Sequence, residues 1–468
     1  MVIGDVMIEE RIEQLLYYGE KHGLLSSYDV MVTRNALLDL FGLPEPHVGG
    51  DVHIVPLPVE ALLSPMLDYA VEHGLVADNT IDARDLFSSR IMSLLTPRAG
   101  EIVREFQSRD SENATDWFYA FSKATNYIQT ERIAKNHCWV ADTEFGKIEM
   151  TVNLTKPEKT TAEVIAASKA PTSGYPKCLL CAENAGYAGN ARHPGRQNHR
   201  IIPVTLCDEQ WYFQYSPYSY YNEHCIVLTE HHVPMDVNAK TFKHLLDFVQ
   251  QFPHYFLGSN AGLPIVGGSI LSHEHYQGGR HMFAVDNAEI LAEYSHENYS
   301  GITLELLKWP VSAVRLRCKC AETLAGACAE MLTTWEQYND PEREIIAFTD
   351  KIPHNTVTPI ARNRDGIYEM TIAFRNNRTS DKHPTGVFHP HEQWHHIKKE
   401  NIGLIEVMGL SVLPPRLMRE YPDEQALHAE ADRVFVEVLR DVGVFKQTPH
   451  GLEGFEKFLT NCGYCGIL

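Results

Sequence analysis

The stretch that most constrains this chain is Gly267-Gly268-Ser269-Ile270-Leu271-Ser272-His273-Glu274-His275-Tyr276-Gln277-Gly278-Gly279. Residues 263–271 read as a buried, glycine-containing strand that runs straight into the histidines. Alternate side chains of a strand share a face. His273, His275 and Gln277 are therefore expected on one side, and Glu274 and Tyr276 on the other. Such a face suits displacement at phosphorus: a neutral imidazole held in one tautomer attacks the α-phosphorus, and a diphosphate bond breaks in line. Gln277 can donate its amide to a non-bridging phosphate oxygen without adding a titrating group. Gly267-Gly268 and Gly278-Gly279 let backbone N–H groups come close to phosphate. The bland alternative is a pair of structural histidines, in a chain that has 24 of them. The glycine-flanked setting at a strand end favours chemistry.

The pattern occurs twice. His389-Pro390-His391-Glu392-Gln393 also fits H-x-H-x-Q, but proline interrupts any strand there, no glycine pair flanks it, and Trp394-His395-His396 follows. It reads as a histidine-rich loop, with a nucleophile at His391 as the rival assignment.

Around the motif, the pattern of residues changes along the chain. Up to about residue 120 it is helical. Ile8, Ile12, Leu15 and Leu16 recur at helical spacing, residues 62–75 and 81–95 repeat the pattern, and Thr96-Pro97 has the form of a helix start. Then come strand-like runs at 200–206, 210–215 and 224–229, and a helix at 236–252. After about residue 300 the same succession returns. A helix is expected at 320–338, strands at 345–349, 356–361, 367–374 and 402–408, and a helix at 424–439. The expected fold class is α+β: two successive halves of similar texture, 121–300 and 301–468, behind a helical extension, 1–120.

The chain has 468 residues and a net charge of −20. That charge argues against a general nucleic-acid or anionic-membrane binder, while leaving room for one phosphorylated ligand. The N-terminus shows no signal peptide and no apolar run is long enough to span a bilayer, so the cytoplasm is the expected address. Ten cysteines are too few for a disulfide scaffold.

Cys178-Leu179-Leu180-Cys181 therefore reads as half of a tetrahedral zinc site, with a redox pair or inert thiols as alternatives. Two more ligands are needed, and His232 and His273 are the candidates. Cys462-Gly463-Tyr464-Cys465 and Cys318-Lys319-Cys320 carry no such expectation. Arg192-His193-Pro194-Gly195-Arg196-Gln197-Asn198-His199-Arg200 concentrates positive charge, and its Arg196 and Arg200 could meet phosphate oxygens. Lys156 and Lys159 are weaker candidates of the same kind.

The motif resembles the active-site strand of the galactose-1-phosphate uridylyltransferases, in particular the bacterial type 2 branch. Pro176-Lys177-Cys178-Leu179-Leu180-Cys181, Asn222-Glu223-His224-Cys225-Ile226-Val227 and Lys398-Lys399-Glu400-Asn401-Ile402-Gly403-Leu404-Ile405-Glu406-Val407-Met408 look like that branch too. The likeness implies histidine-triad-like halves with antiparallel sheets, a possible homodimer and a ping-pong exchange. UDP-glucose would give its uridylyl group to a histidine and release glucose 1-phosphate. Galactose 1-phosphate would then take the group as UDP-galactose. The family's nucleophile falls on His275, and its supporting glutamine on Gln277. Zinc ligands fall on Cys178, Cys181, His232 and His273, with His231 the alternative to His232. An Asn-x-Gly that helps bind the nucleotide falls on Asn260-Ala261-Gly262. Two departures stand out. Glu274 replaces the proline of the type 1 enzymes, and Gly409-Leu410-Ser411-Val412-Leu413 before Pro414-Pro415 lacks their second-metal histidines, so no such second site is expected.

Two other readings compete. A histidine-triad hydrolase or nucleotide-sugar phosphorylase would pass the nucleotide to water or phosphate. A glutamine in place of a third histidine disfavours hydrolysis, because it can neither protonate a leaving group nor activate water. A non-catalytic zinc- or nucleotide-binding protein would keep the cysteine pair and need no ordered His275.

Overall fold

The computed structural model describes residues 7–48, 56–154 and 174–467. Contacts divide the chain into two compact units. One comprises Met1–Ala134, Glu158–Pro203 and Tyr212–Ser219, and the other Lys135–Pro157, Val204–Trp211 and Tyr220–Leu468.

The first unit is built on the N-terminal helices Ile8–Lys21, Val30–Phe41, Val59–Glu72, Ile81–Ser93, Ala99–Gln107 and Ser111–Ala124. The apolar stripe read from the sequence is their core: Ile12, Leu15, Leu16, Leu62 and Met66 are buried. Asp110 caps its helix by accepting from Asn113 N, and Thr80 caps another by accepting from Ala83 N. Thr96-Pro97 does not start a helix. Thr96 Oγ1 donates back to Met92 O at 2.7 Å, so it closes the preceding turn, and the next helix opens two residues later with Arg98 as N-cap.

The second unit is organised by a large sheet. Nine of its strands lie side by side in the order Tyr464–Gly466, Ile290–His296, Thr303–Leu307, Ala313–Cys318, Ile367–Asn376, Asn355–Arg364, Phe256–Ser259, His275–Gly279 and Cys225–Thr229. Neighbours in this series pair antiparallel. One topology occurs twice in it. Cys225–Thr229 leads through the helix Ala239–Gln251 to Phe256–Ser259 and His275–Gly279, and Ala313–Cys318 leads through Ala321–Gln337 to Asn355–Arg364 and Ile367–Asn376. In both, the last strand lies between the other two, and the copies meet where Ile360 faces Gly258. The chain is thus α+β with two like halves. A separate three-stranded sheet joins His137–Thr143, Gly146–Val152 and Leu410–Leu413, and encloses a core with Trp309, Phe256 and the helix Glu424–Val442.

Two expected strands are not strands. Residues 402–408 contain the helix Leu404–Met408, because Glu406 Oε2 accepts from Gly403 N at the start and Gly409 takes φ 103° at the end. Residues 263–271 form turns with one bridge from Ala261 to Gly267. A Cβ on Gly267 would lie 2.5 Å from Ala261 O and 2.7 Å from Leu263 O. The backbone packs against itself there, which closes off an extended path.

Candidate active site and metal centre

The strand His275–Gly279 is held on both sides, by Cys225–Thr229 and by Phe256–Ser259. His275 and Gln277 alternate onto one face. His273 lies ahead of the strand, where the backbone is pinned by other bonds. Glu274 N donates to Val233 O at 2.7 Å, and Thr229 N and Oγ1 each donate to Glu274 O at 3.1 Å.

This pinning aims both imidazoles. His275 Nδ1 donates to the His273 carbonyl at 2.8 Å. A carbonyl can only accept, so the proton sits on Nδ1 and the lone pair on Nε2. Burial pushes the His275 imidazole down to about 4, against the pull of the carbonyl it bonds. The group is neutral near pH 7 and fixed in one tautomer, as a nucleophile must be. By the same logic His273 Nε2 donates to Thr229 O at 3.0 Å and its Nδ1 carries the lone pair. Gln277 Oε1 accepts from His224 Nε2 at 3.2 Å, which leaves the amide N–H groups to donate elsewhere.

On the reverse face Tyr276 OH donates to Glu274 Oε1 at 3.3 Å and lies 3.1 Å from His244 Nδ1, with Trp211 stacked on the Tyr276 ring at 4.8 Å. Burial pushes the Glu274 carboxyl up to about 7.

Of the predicted ligands, Cys178 and Cys181 lie together in the first unit, and His232 and His273 lie together in the second, their ring centres 4.9 Å apart. Around the cysteines, Asn184 Nδ2 donates at 2.8 Å to the carbonyls of both, and Leu180 N donates to Cys178 Sγ at 3.3 Å. The two Sγ atoms are 3.6 Å apart. Tetrahedral zinc with Zn–S near 2.3 Å needs about 3.8 Å. The spacing of the cysteine pair therefore fits zinc, and the His273–Thr229 bond is the kind of outer contact that orients a ligating imidazole. Burial and the neighbouring Cys181 push the Cys178 thiol up to about 11, which a divalent cation reverses by binding the thiolate. His231, the alternative to His232, is exposed beside Glu230.

The other predicted site residues are placed as follows. Asn260 is buried and its Oδ1 accepts from Leu404 N at 2.8 Å. Gly268 packs onto it, since a Cβ there would lie 2.9 Å from Asn260 Nδ2. At Gly262 a Cβ would meet Met235 O at 3.3 Å. Arg200 donates to the carbonyls of Pro97, Gln197, His199 and Thr96, and the Arg196 guanidinium lies 5.2 Å from the Tyr127 ring centre. Lys156 and Lys159 lie outside the described residues. In the rival copy, a 3-10 turn at Glu392–Trp394 replaces any strand. Both ring nitrogens of His391 face acceptors, Asp441 Oδ2 at 3.1 Å and Val387 O at 3.2 Å, so neither presents a lone pair outward.

Three contributors escaped the sequence reading: His224 behind Gln277, Thr229 holding His273 and the Glu274 carbonyl, and Asn184 under the cysteine loop. Asn184 had a local signal, a turn-forming residue three positions after C-x-x-C. The other two act across strands.

Among the described residues, no helix is long and apolar enough to cross a membrane. Residues 31–234 match the family described as galactose-1-phosphate uridyl transferase, N-terminal domain, and residues 248–437 match its C-terminal domain. The chain is 47% identical to the galactose-1-phosphate uridylyltransferase of Caldanaerobacter subterraneus subsp. tengcongensis, over 97% of this chain and 98% of that one. It is 44% identical to the enzyme of that name from Bacillus subtilis, again over 97% and 98%. Among solved structures it is similar to yeast Ap4A phosphorylase in complex with AMP, at 10% identity and a TM-score of 0.38 over 73% of this chain and 99% of that one. On the match to both domains and the near full-length relatives, the chain belongs to the galactose-1-phosphate uridylyltransferase family.

Proposed function

We propose that this chain is a UDP-glucose–hexose-1-phosphate uridylyltransferase acting through a covalent uridylyl-histidine. His275 Nε2 attacks the α-phosphorus of UDP-glucose, the bond to the bridging oxygen breaks, and glucose 1-phosphate leaves with the electron pair. Galactose 1-phosphate then attacks the same phosphorus, UDP-galactose forms, and His275 returns as the neutral imidazole. Gln277 donates its amide to a non-bridging oxygen, and the loop of Asn260, Gly262, Gly267 and Gly268 holds the nucleotide. Arg196 and Arg200 would meet phosphate oxygens of the substrate, from a loop that Arg200 ties by donating to backbone carbonyls. Cys178, Cys181, His232 and His273 would hold zinc, which when bound supplies a rigid structural tie. We extend the proposal to a cytoplasmic enzyme with no nucleic-acid partner, to a homodimer, and to domain limits near 120 and 300.

The observation that carries this is the His275 Nδ1 bond to the His273 carbonyl, which fixes a neutral imidazole with its lone pair on Nε2. The hydrolase alternative is disfavoured by Gln277, which has no acidic proton to give a leaving group and cannot activate water. The test uses UDP-glucose labelled in the uridylyl group. Wild type and His391→Ala should trap an acid-labile adduct and release UDP-galactose on adding galactose 1-phosphate; His275→Ala should trap none. An adduct in His275→Ala, or UMP as the main product, refutes the proposal.

A further inference from the structure

The mechanism leaves the buried imidazole beside Gln277 without a role. His224 stands immediately before the Cys225–Thr229 strand and is 3% exposed. Its Nε2 lies 3.2 Å from Gln277 Oε1. Its Nδ1 is buried and makes no hydrogen bond among the described residues. Tyr221 lies against it, with ring centres 4.5 Å apart, and Tyr220 at 5.5 Å. Tyr221 is itself fixed by donating its hydroxyl to Gly278 O at 3.1 Å.

These contacts decide a proton. A carboxamide oxygen cannot donate, so the bond to Gln277 must come from Nε2–H. A neutral imidazole with its proton there has a bare Nδ1, which agrees with the unpartnered atom. Burial pushes this imidazole down to about 4, so it remains neutral and brings no acid to the site. The two ends of a carboxamide have nearly the same size, so packing alone does not choose between them. The choice matters at this position. With the amide turned over, Oε1 would face the phosphate oxygens, acceptor against acceptor.

We propose that His224 is a positioning residue: its Nε2–H holds Gln277 Oε1, so that the amide N–H groups are presented to the uridylyl phosphate. It acts only through Gln277, and so rests on the role given to Gln277 above. It also explains how the site keeps a donor beside the phosphorus while excluding a proton that could serve hydrolysis.

The test is a double-variant cycle read by rapid-quench formation of the uridylyl adduct from UDP-glucose. His224→Ala should slow the adduct step about tenfold, with KM within about twofold, because one charge-directed bond is misaligned rather than removed. His224→Gln, whose amide N–H reaches the same point, should recover to within about threefold of wild type. In a Gln277→Ala background, His224→Ala should cost less than about twofold more. If His224→Ala does not fold, His224→Leu takes its place in the cycle. Losses that multiply in the double variant overturn the proposal. So does a His224→Gln as slow as His224→Ala with an unchanged thermal midpoint. Failure of the underlying role shows separately, as a Gln277→Ala single variant that matches wild type.

Discussion

The proton on His275 gives the sharpest test of the site. Burial, opposed by the bond to the His273 carbonyl, places its imidazole at about 4. An ordinary exposed histidine, near 6.5, is about one-tenth neutral at pH 5.5, whereas a group at about 4 is still about 97% neutral there. The first half-reaction with UDP-glucose alone should therefore lose only a few per cent of its rate between pH 8 and 5.5, against about tenfold for an exposed nucleophile. Using that half-reaction matters, because galactose 1-phosphate carries a phosphate that itself titrates near pH 6. Stability limits how far down the profile can be followed. His275, His224 at about 4 and His199 at about 3 all have lowered values. The unfolded chain binds protons that the folded one refuses, so each contribution is present above pH 6.5 and is lost as pH falls below it, at about 1.4 kcal/mol per pH unit. Three such groups remove about 6 kcal/mol by pH 5, a large share of the 5–15 kcal/mol of a typical domain. Circular dichroism should thus show the onset of acid unfolding near pH 5, below the range assayed. A rate midpoint near pH 6.5 in protein that is still folded would refute the assignment of a buried neutral nucleophile.

Metal content offers a second check. Cys178→Ala and His232→Ala should each lower bound zinc and the thermal midpoint, His231→Ala should change neither, and equal effects of the two histidines would break the proposed ligand set. Gly268→Ala brings a Cβ to 2.9 Å from Asn260 Nδ2 and should cost about 1–3 kcal/mol in denaturant melts while raising KM for UDP-glucose; an unchanged KM would separate this loop from the nucleotide. Arg362 donates to both oxygens of buried Asp286, at 2.6 and 2.7 Å. Arg362→Ala should cost about 3–5 kcal/mol, and Arg362→Met with Asp286→Leu much less; equal costs would mean that the loss is packing rather than a stranded charge.

What the sequence made legible was local. Helical stripes such as Ile8–Ile12–Leu15–Leu16 and the β-branched runs at Cys225–Thr229 and Ile367–Asn376 repeat at one fixed period, so their structure follows from neighbours along the chain. Two of the failures are where glycines overrode that period. The apolar run at 402–408 has strand composition, but the glycines at 403 and 409 cap a helix. The glycines before His273 pack the loop against Asn260 and Ala261 instead of extending it. The cysteine pair was legible because ligand spacing is itself a geometric constraint.

The proposed nucleophile lay between these cases, because the chain holds two copies of H-x-H-x-Q and composition does not rank them. What separates His275 from His391 is the set of acceptors around each ring. At His275 one nitrogen meets a carbonyl, so the other must carry a lone pair. At His391 a carbonyl and a carboxylate occupy both nitrogens, so neither points to open space from which to attack. The acceptors are His273 O in one case and Val387 O with Asp441 in the other, and Asp441 is fifty positions from His391. A motif written in side chains cannot record a backbone carbonyl turned inward, nor a carboxylate on a distant helix. Thr229 and His224 escaped for the same reason: each reaches its partner across a strand pair whose register is set by the whole sheet. The chemistry of this site thus depends less on which residues the motif contains than on which hydrogen bonds the fold leaves unmade.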